Sequence, residues 1–519
     1  MVDVGRPGPR VPARVLLLVV LLAGMTASAC GARLDHGLRQ RAADAQLAVG
    51  GPAAAGPAVA PTTAAVASGP PAAVATVAAP LGPVNTAAPV TGPIATAGPG
   101  AAATIGATRA AGPSVAATAG PADTGPGAPL PPGGNGGATD VGVTATTITV
   151  GNVADLSGPV PGLFQSAPYG AQAYFAYVNA NGGVFGRQLK LLGADSQTDC
   201  TANQNAHSNL LPKVFGFVGS FSLYDDCGTQ VLEQNPTVPD LSYPLGPQTK
   251  KNTTNNFPPQ AAPIGYQNGP FCYWAKKFGD AVQSVGSIYA NIPSAALSQH
   301  YFENTGATCG WKWKDSIAVG ATQTTFQAEL SRMQSDGVKV VFLSATNAQN
   351  AAETKREADA QGWHPIWIIP IAYASDFISR LGDPKEAEGI VGHNLYSLFF
   401  NSTDAKNIPE VALYQQWMSR VVPDAPLELY SVYSWAAAKM FVQTLKAVGP
   451  NLTRTAFMNA IRKVHSFDTN GFVAPTDPAG HVPGNCYVLW QIVNGQFVRL
   501  DTPANGFRCD GTFVPYSGS

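Results

Sequence analysis

Charge is scarce in this 519-residue chain: 31 Lys/Arg and 32 Asp/Glu make up 12% of it, against roughly 25% in an average soluble domain. The shortage is concentrated. From Gln46 to Thr139 only Arg109 and Asp123 are charged, and no aromatic residue occurs. From Asp140 onward the two signs nearly cancel, so no clustered basic face is available for DNA or RNA, and nucleic acid is excluded as the main partner. Catalytic signatures are absent as well. The chain contains no G-x-S-x-G, H-E-x-x-H or G-x-x-x-x-G-K-[ST]. His207, His300, His364, His393, His465 and His481 show no ligand spacing, and no Cys pair is arranged as C-x-x-C. Asp225-Asp226 reads as a solvated loop pair beside Cys227, and Trp311 and Trp313 as core or rim packing on a strand. The expectation is therefore a protein that is not an enzyme and carries neither cofactor nor metal.

What is present begins with an address. Arg6, Arg10 and Arg14 precede an apolar run from Val15 to Ala23. The run falls short of the roughly 20 residues of a spanning helix but suits a signal peptide over 1–29. It ends in Ala27-Ser-Ala-Cys30-Gly31, which resembles the lipobox of bacterial lipoproteins, with Ala27 where Leu is usual. That resemblance implies lipid on Cys30 and a protein anchored outside the cell membrane. It also settles an awkward count, because seven Cys is odd for an exported chain. Cys200, Cys227, Cys272, Cys309, Cys486 and Cys509 remain for structural disulfides. Their order suggests three sequential pairs out of 15 possible connectivities.

Composition then sets the organisation. The Ala/Pro/Gly/Thr-rich stretch cannot bury enough surface to offset ordering entropy, and 30–143 is expected to be a disordered tether. A flexible coil of that length would span on the order of 55 Å. From Thr144 strand and helix patterns alternate. Thr147–Val153 reads as a strand, Tyr169–Asn179 as a helix, Leu189–Leu192 as a strand and Thr201–Leu211 as a helix. Val214–Val218 and Ser287–Ala290 read as strands, Phe326–Gln334 as a helix and Val338–Leu343 as a strand. Ala348–Gln361 is helical, Ile366–Ile369 a strand and Leu429–Val448 a long helix. The end reads as a hairpin turning at Asn494-Gly495. Alternation of this kind implies an α/β fold with parallel, doubly wound sheets.

Several segments together resemble the type I periplasmic solute-binding proteins that serve branched-chain amino acid ABC importers. These are Leu156-Ser-Gly-Pro159, Val178-Asn-Ala-Asn-Gly-Gly183, Gly186-Arg-Gln-Leu-Lys190, Phe326–Met333 with Val338–Leu343, Ala358–Trp363, Ala387-Glu-Gly-Ile390 and Asn494–Val498. The resemblance implies two Rossmann-like lobes joined by three crossovers, with 144–265 plus 397–480 as lobe 1 and 266–396 plus 481–519 as lobe 2. It implies a Cys200–Cys227 disulfide, as in several relatives. It implies a monomer that captures a small-molecule ligand by lobe closure and hands it to ABC importer permease subunits. A sensing receptor of the same fold, or a structural envelope lipoprotein with a degenerate cleft, are the alternatives.

Ligand sites in this family lie beyond the carboxyl ends of strands, which here means the loops after Val153, Val218, Leu241, Leu343 and Ile369. The residues carried over are Phe164 and Gln165, Ser220, Phe221 and Ser222, Ser242 and Tyr243, with Asn347 and Tyr373 across from them. One departure stands out. Amino-acid binders of the family place a carboxylate after the strand matching Ile366–Ile369, yet here the loop is Pro370-Ile-Ala-Tyr-Ala374. The segment Asn291–Ala296 also lacks the family's Tyr. Unless Asp155, Asp225 or Asp226 substitutes, the ligand lacks an ammonium and is an amide or an aromatic or aliphatic acid rather than a plain amino acid.

Overall fold

Burial alternates at the start of Thr147–Ala154, with Ile148 and Val150 inward and Thr147 and Thr149 half-exposed; this is β1. The computed structural model describes residues 126–159, 163–245, 253–260, 264–400 and 402–518. The signal peptide, Cys30 and the tether as far as residue 125 lie outside the described residues.

Chain order builds one lobe first. β1 is followed by α1 (Ala167–Ala180), β2 (Gln188–Asp195), α2 (Cys200–Leu210), β3 (Phe217–Val218), α3 (Asp225–Glu233) and β4 (Asp240–Leu241). Their four strands form a parallel sheet in the order β2-β1-β3-β4, with Thr147 opposite Gln188 and Ala154 opposite Asp195. The acidic pair Asp225-Asp226 opens α3 instead of lying in a loop, where negative charge suits the helix N-terminus.

The second lobe contains β5 (Gly265–Gln267), α4 (Gly269–Phe278), β6 (Val285–Ala290), α5 (Pro293–Ala307), β7 (Trp313–Val319), α6 (Gln327–Ser335) and β8 (Val340–Phe342). It continues with α7 (Ala348–Ala360), β9 (Ile366–Ile368), α8 (Phe377–Leu381) and β10 (Val391–Asn394). The chain then returns to the first lobe with α9 (Ser402–Asn407), α10 (Pro409–Val421), α11 (Leu429–Val448) and α12 (Arg454–Ile461). It ends with β11 (Val488–Val493), β12 (Gln496–Arg499) and β13 (Phe513–Pro515). The larger sheet runs β12-β11-β10-β9-β8-β6-β7, parallel except where β11 joins β10 and β12. Asn494 and Gly495 turn the β11–β12 hairpin with φ of 50° and 68°, as the Asn-Gly signal requires.

α11 returns to lobe 1 because it packs on α1 at close range. A Cβ on Gly170 would sit 1.9 Å from the Ser431 carbonyl oxygen, so only glycine permits the approach. The Ala171 N–H donates to Ser434 Oγ at 2.7 Å across the same contact. The three connections between lobes are tied to one another. Ser397 N–H donates to Phe472 O and Ala474 N–H to Leu395 O, both at 2.8 Å, and Thr476 Oγ1 donates to Pro259 O at 2.7 Å.

Cysteines pair in sequence order: Cys200–Cys227, Cys272–Cys309 and Cys486–Cys509. Trp311 is buried in the second lobe's core and stacks near Trp313 at 5.7 Å, so both serve packing.

Residues 126–143 correct the expected tether boundary, because they pack on the first lobe. Ala128 N–H donates to Gly183 O at 3.0 Å and Phe185 N–H to Ala128 O at 2.7 Å. The Asn135 amide reaches Ala145 O at 2.8 Å and Phe185 O at 3.0 Å. Arg187, fully buried, donates to Thr144 O at 2.8 Å, Pro450 O at 2.9 Å, Gly137 O at 3.0 Å and Asn135 O. A composition argument counts apolar side chains, and this arm is held largely by hydrogen bonds, from its backbone and from Asn135.

Candidate ligand-binding cleft

The carboxyl ends of both sheets face a common cavity of about 260 Å³. Its first-lobe wall is made of rings. Phe164 meets Tyr430 edge-on at 4.7 Å, Tyr430 meets Phe221 at 5.2 Å, and Phe221 stacks on Tyr243 at 5.8 Å. Tyr243 stacks in turn on Tyr433 at 5.2 Å, and Tyr433 meets Tyr396 at 5.9 Å. Tyr430 and Tyr433 are presented by the first turns of α11, three residues apart and therefore on one face. Glu428 caps that helix in a capping box with Ser431 and accepts from Ser166 Oγ at 3.0 Å. Burial pushes the Glu428 carboxyl up to about 7, a rise that the Ser166 bond moderates.

The second-lobe wall is finer-grained. Ser294, Ala295, Ser298 and Phe302 come from α5, and Ser344 to Asn347 from the β8–α7 loop. α5 starts at Pro293 behind an N-cap, Ile292, whose side chain accepts no bond; the first N–H groups of that helix lie beside the cavity. His393 and Asn394 close the wall from the end of β10. His393 Nε2 lies 3.3 Å from the Tyr266 hydroxyl, and burial pushes its pKa down to about 3, so the ring is neutral. Asn394 Oδ1 accepts from Trp490 Nε1 at 3.1 Å. Three buried polar atoms of this wall have no partner: His393 Nδ1, Asn394 Nδ2 and Thr346 Oγ1. No residue lining the cavity among the described residues is Asp, Glu, Lys or Arg.

Of the residues expected from sequence, the structure brings Phe164, Phe221, Tyr243 and Asn347 together around this cavity. Asn347 arrives with its carboxamide oxygen engaged, accepting from Asn350 N–H at 2.7 Å as the N-cap of α7. Gln165 is exposed and does not line it.

The three serines do not line it either. Ser220 Oγ accepts from Val153 N–H at 3.0 Å, and Ser242 Oγ from Ser220 N–H at 3.2 Å. Ser222 Oγ donates to Asp155 Oδ1 at 2.9 Å. For Ser222 the cause is Asp155. Buried and away from the cavity, it accepts from the Ser196 and Ser222 hydroxyls and the Thr198 and Leu223 N–H groups. Burial raises its pKa despite those bonds. Asp155 therefore organises loops and does not line the cavity in place of the missing carboxylate that would pair a ligand's ammonium; Asp225, which accepts from Leu245 N–H at 2.9 Å, and Asp226 also lie outside the lining. Tyr373 sits in the core, its ring 4.7 Å from Phe497, 4.9 Å from Phe400 and 5.0 Å from Phe399, with its hydroxyl accepting from Phe400 N–H at 2.9 Å.

Sequence reasoning missed Tyr266, Phe302, His393, Tyr396, Tyr430 and Tyr433. Only the last two carried a usable signal, as aromatics opening a long apolar helix.

No curated protein matches the chain. Solved structures do, at low identity. A fatty acid ABC transporter substrate-binding protein from Thermomonospora curvata is 18% identical, covering 70% of this chain and 93% of that one with a TM-score of 0.58. A branched-chain amino acid ABC transporter protein from Thermus thermophilus with bound valine is 15% identical, covering 72% and 97%, TM-score 0.58. A solute-binding protein of an ABC transporter from R. palustris, in complex with benzoate, is 15% identical, covering 72% and 98%, TM-score 0.57. These share the fold: two α/β lobes with parallel sheets. The periplasmic binding protein family itself matches residues 147–496, from the first residue of β1 to the first residue of β12. With the first sheet, the larger sheet up to the start of β12, and the cleft between them inside that match, the chain belongs to the periplasmic binding protein family.

Proposed function

We propose that this chain is an extracytoplasmic receptor that closes its lobes on a small organic molecule lacking an ammonium group and delivers it to an ABC importer. The observation that carries the reading is the absence of any formal charge on the cavity lining among the described residues. A free amino acid would bring an ammonium into a ring-walled site, and an unpaired buried charge costs several kcal/mol. An amide, or an aromatic or aliphatic acid, fits better. Its apolar body meets the wall from Phe164 to Tyr433, and its polar end meets His393, Asn394, Thr346 and the first N–H groups of α5. Relatives give the range: the structures named above are described with valine, with benzoate and as a fatty acid transporter protein. Lipid on Cys30 would hold the receptor at the outer face of the membrane, with the chain as far as residue 125 as its tether.

The test is calorimetric titration of the full chain, disulfides intact, with benzamide, benzoate, hexanamide and hexanoate against valine and leucine. At least one of the first four is expected to bind and raise the melting temperature, while the amino acids do neither. Tight binding of valine or leucine alone would sink the reading.

A further inference from the structure

Behind the main cavity lies a second chamber of about 130 Å³. Tyr243, Leu245, Tyr266, Ser298, Phe302 and Leu395 line both, so the two spaces share one wall. The far side of the second chamber is built from the connections between lobes, with Gln260, Gln267 and Pro483 contributed by separate segments, and is closed by Phe513 of β13. That lining is not wholly apolar. Gln260 Oε1, Gln267 Oε1 and the Tyr301 hydroxyl are buried there without partners, in residues 1%, 2% and 6% exposed. Gln267 Nε2 lies 3.5 Å from Cys486 O. A buried polar atom without a partner is costly, and residues carrying three of them, two carboxamide oxygens and a hydroxyl, line one void.

The geometry points to an elongated ligand that occupies both chambers, placing an uncharged N–H- or O–H-bearing end against Gln260, Gln267 and Tyr301. This rests on the reading of the cleft given above and, for elongated ligands, moves the polar end from His393, Asn394 and Thr346 to the second chamber. The ligand class becomes a chain or ring-and-chain molecule ending in a primary amide or alcohol. A carboxylate end is disfavoured, because it has no proton to give the two carboxamide oxygens. The Tyr243–Tyr266–Phe302 partition is the specificity filter: short molecules stop at it and longer ones pass between its rings.

The experiment is titration of the full chain with a series of straight-chain primary amides from butanamide to decanamide, the carboxylates of the same lengths, and benzamide. Affinity for the amides is expected to rise about threefold to fourfold per methylene. Amides long enough to reach the second chamber should exceed the matching carboxylates by about threefold to tenfold. Gln260→Met and Gln267→Met should remove that amide preference and leave benzamide affinity within twofold. An amide series whose affinity is flat with length overturns the proposal without needing either variant. So does a carboxylate preference at every length, or a crystal structure of the decanamide-soaked protein with only water in the second chamber. In each of those cases benzamide or short-amide binding leaves the receptor reading intact. If neither the series nor benzamide binds, and no aromatic or aliphatic acid does, the receptor reading falls and this proposal with it.

Discussion

The two walls of the cleft are built by different means. The first-lobe wall is a run of large rings, each fixed by the next and by α11 packed on α1 through Gly170. The second-lobe wall is made of small hydroxyl residues, a helix start and two polar side chains with unmade bonds. On the proposed reading the first lobe gives the ligand shape and area, and the second gives it directional partners. In this chain Ser222 is turned to Asp155, while Ser220 and Ser242 accept backbone N–H groups, so none of the three hydroxyls faces the cavity lining.

That division can be broken most directly at its centre. Phe221 touches Phe164, Tyr243 and Tyr430 and is 1% exposed. Phe221→Ala is expected to cost about 3–5 kcal/mol of stability in urea unfolding and to abolish amide or acid binding. Retained affinity would mean that the rings are not the ligand's surface.

A smaller effect sharpens the role of the helix that carries Tyr430 and Tyr433. Because the folded pKa of Glu428 is raised from its ordinary 4.5 to about 7, its contribution is full below about 4.5 and is lost as pH rises through about 7. The loss is at most about 3 kcal/mol. Glu428→Gln should flatten stability across that window in pH-dependent urea melts. His393 acts with opposite sign: its depressed pKa gives stability that is present above about 6.5 and declines toward pH 3. An unchanged pH profile in Glu428→Gln would remove the carboxyl from this account.

The smallest effect is the most diagnostic. Ser222→Ala removes one hydroxyl from Asp155 and should cost about 1 kcal/mol of stability while leaving ligand affinity within twofold. A tenfold loss of affinity with stability unchanged would return the first-lobe hydroxyls to the ligand.

Much of the fold was legible because its signals are local. Alternation in Thr147–Val153, the Asn494-Gly495 turn and the long apolar helix from Leu429 each need only a few neighbouring residues to be read. α5 was not legible, since its buried face includes Gln299, Thr305 and Gly306 beside Tyr301 and Phe302 and shows no apolar period. The site was legible only by half. Loop positions bring Phe164, Phe221, Tyr243 and Asn347 to the cavity, but no sequence pattern reveals that Asp155 captures Ser222, or that Tyr373 turns into a cluster with Phe399, Phe400 and Phe497. Those outcomes depend on contacts between residues tens to more than a hundred positions apart.

Arg187 has a practical consequence for where the protein starts. Its guanidinium donates to carbonyls of Asn135, Gly137, Thr144 and Pro450, so one side chain staples the arm, the first strand's approach and the segment after α11 into a single knot. Asp140 adds a stitch by accepting from Arg454 N–H at 2.6 Å. Cutting the chain at residue 144, where its composition changes, would strip two of the four carbonyls from this cation and uncover it. A piece of this chain that keeps the knot whole therefore has to start inside the glycine- and proline-rich stretch, no later than about residue 126.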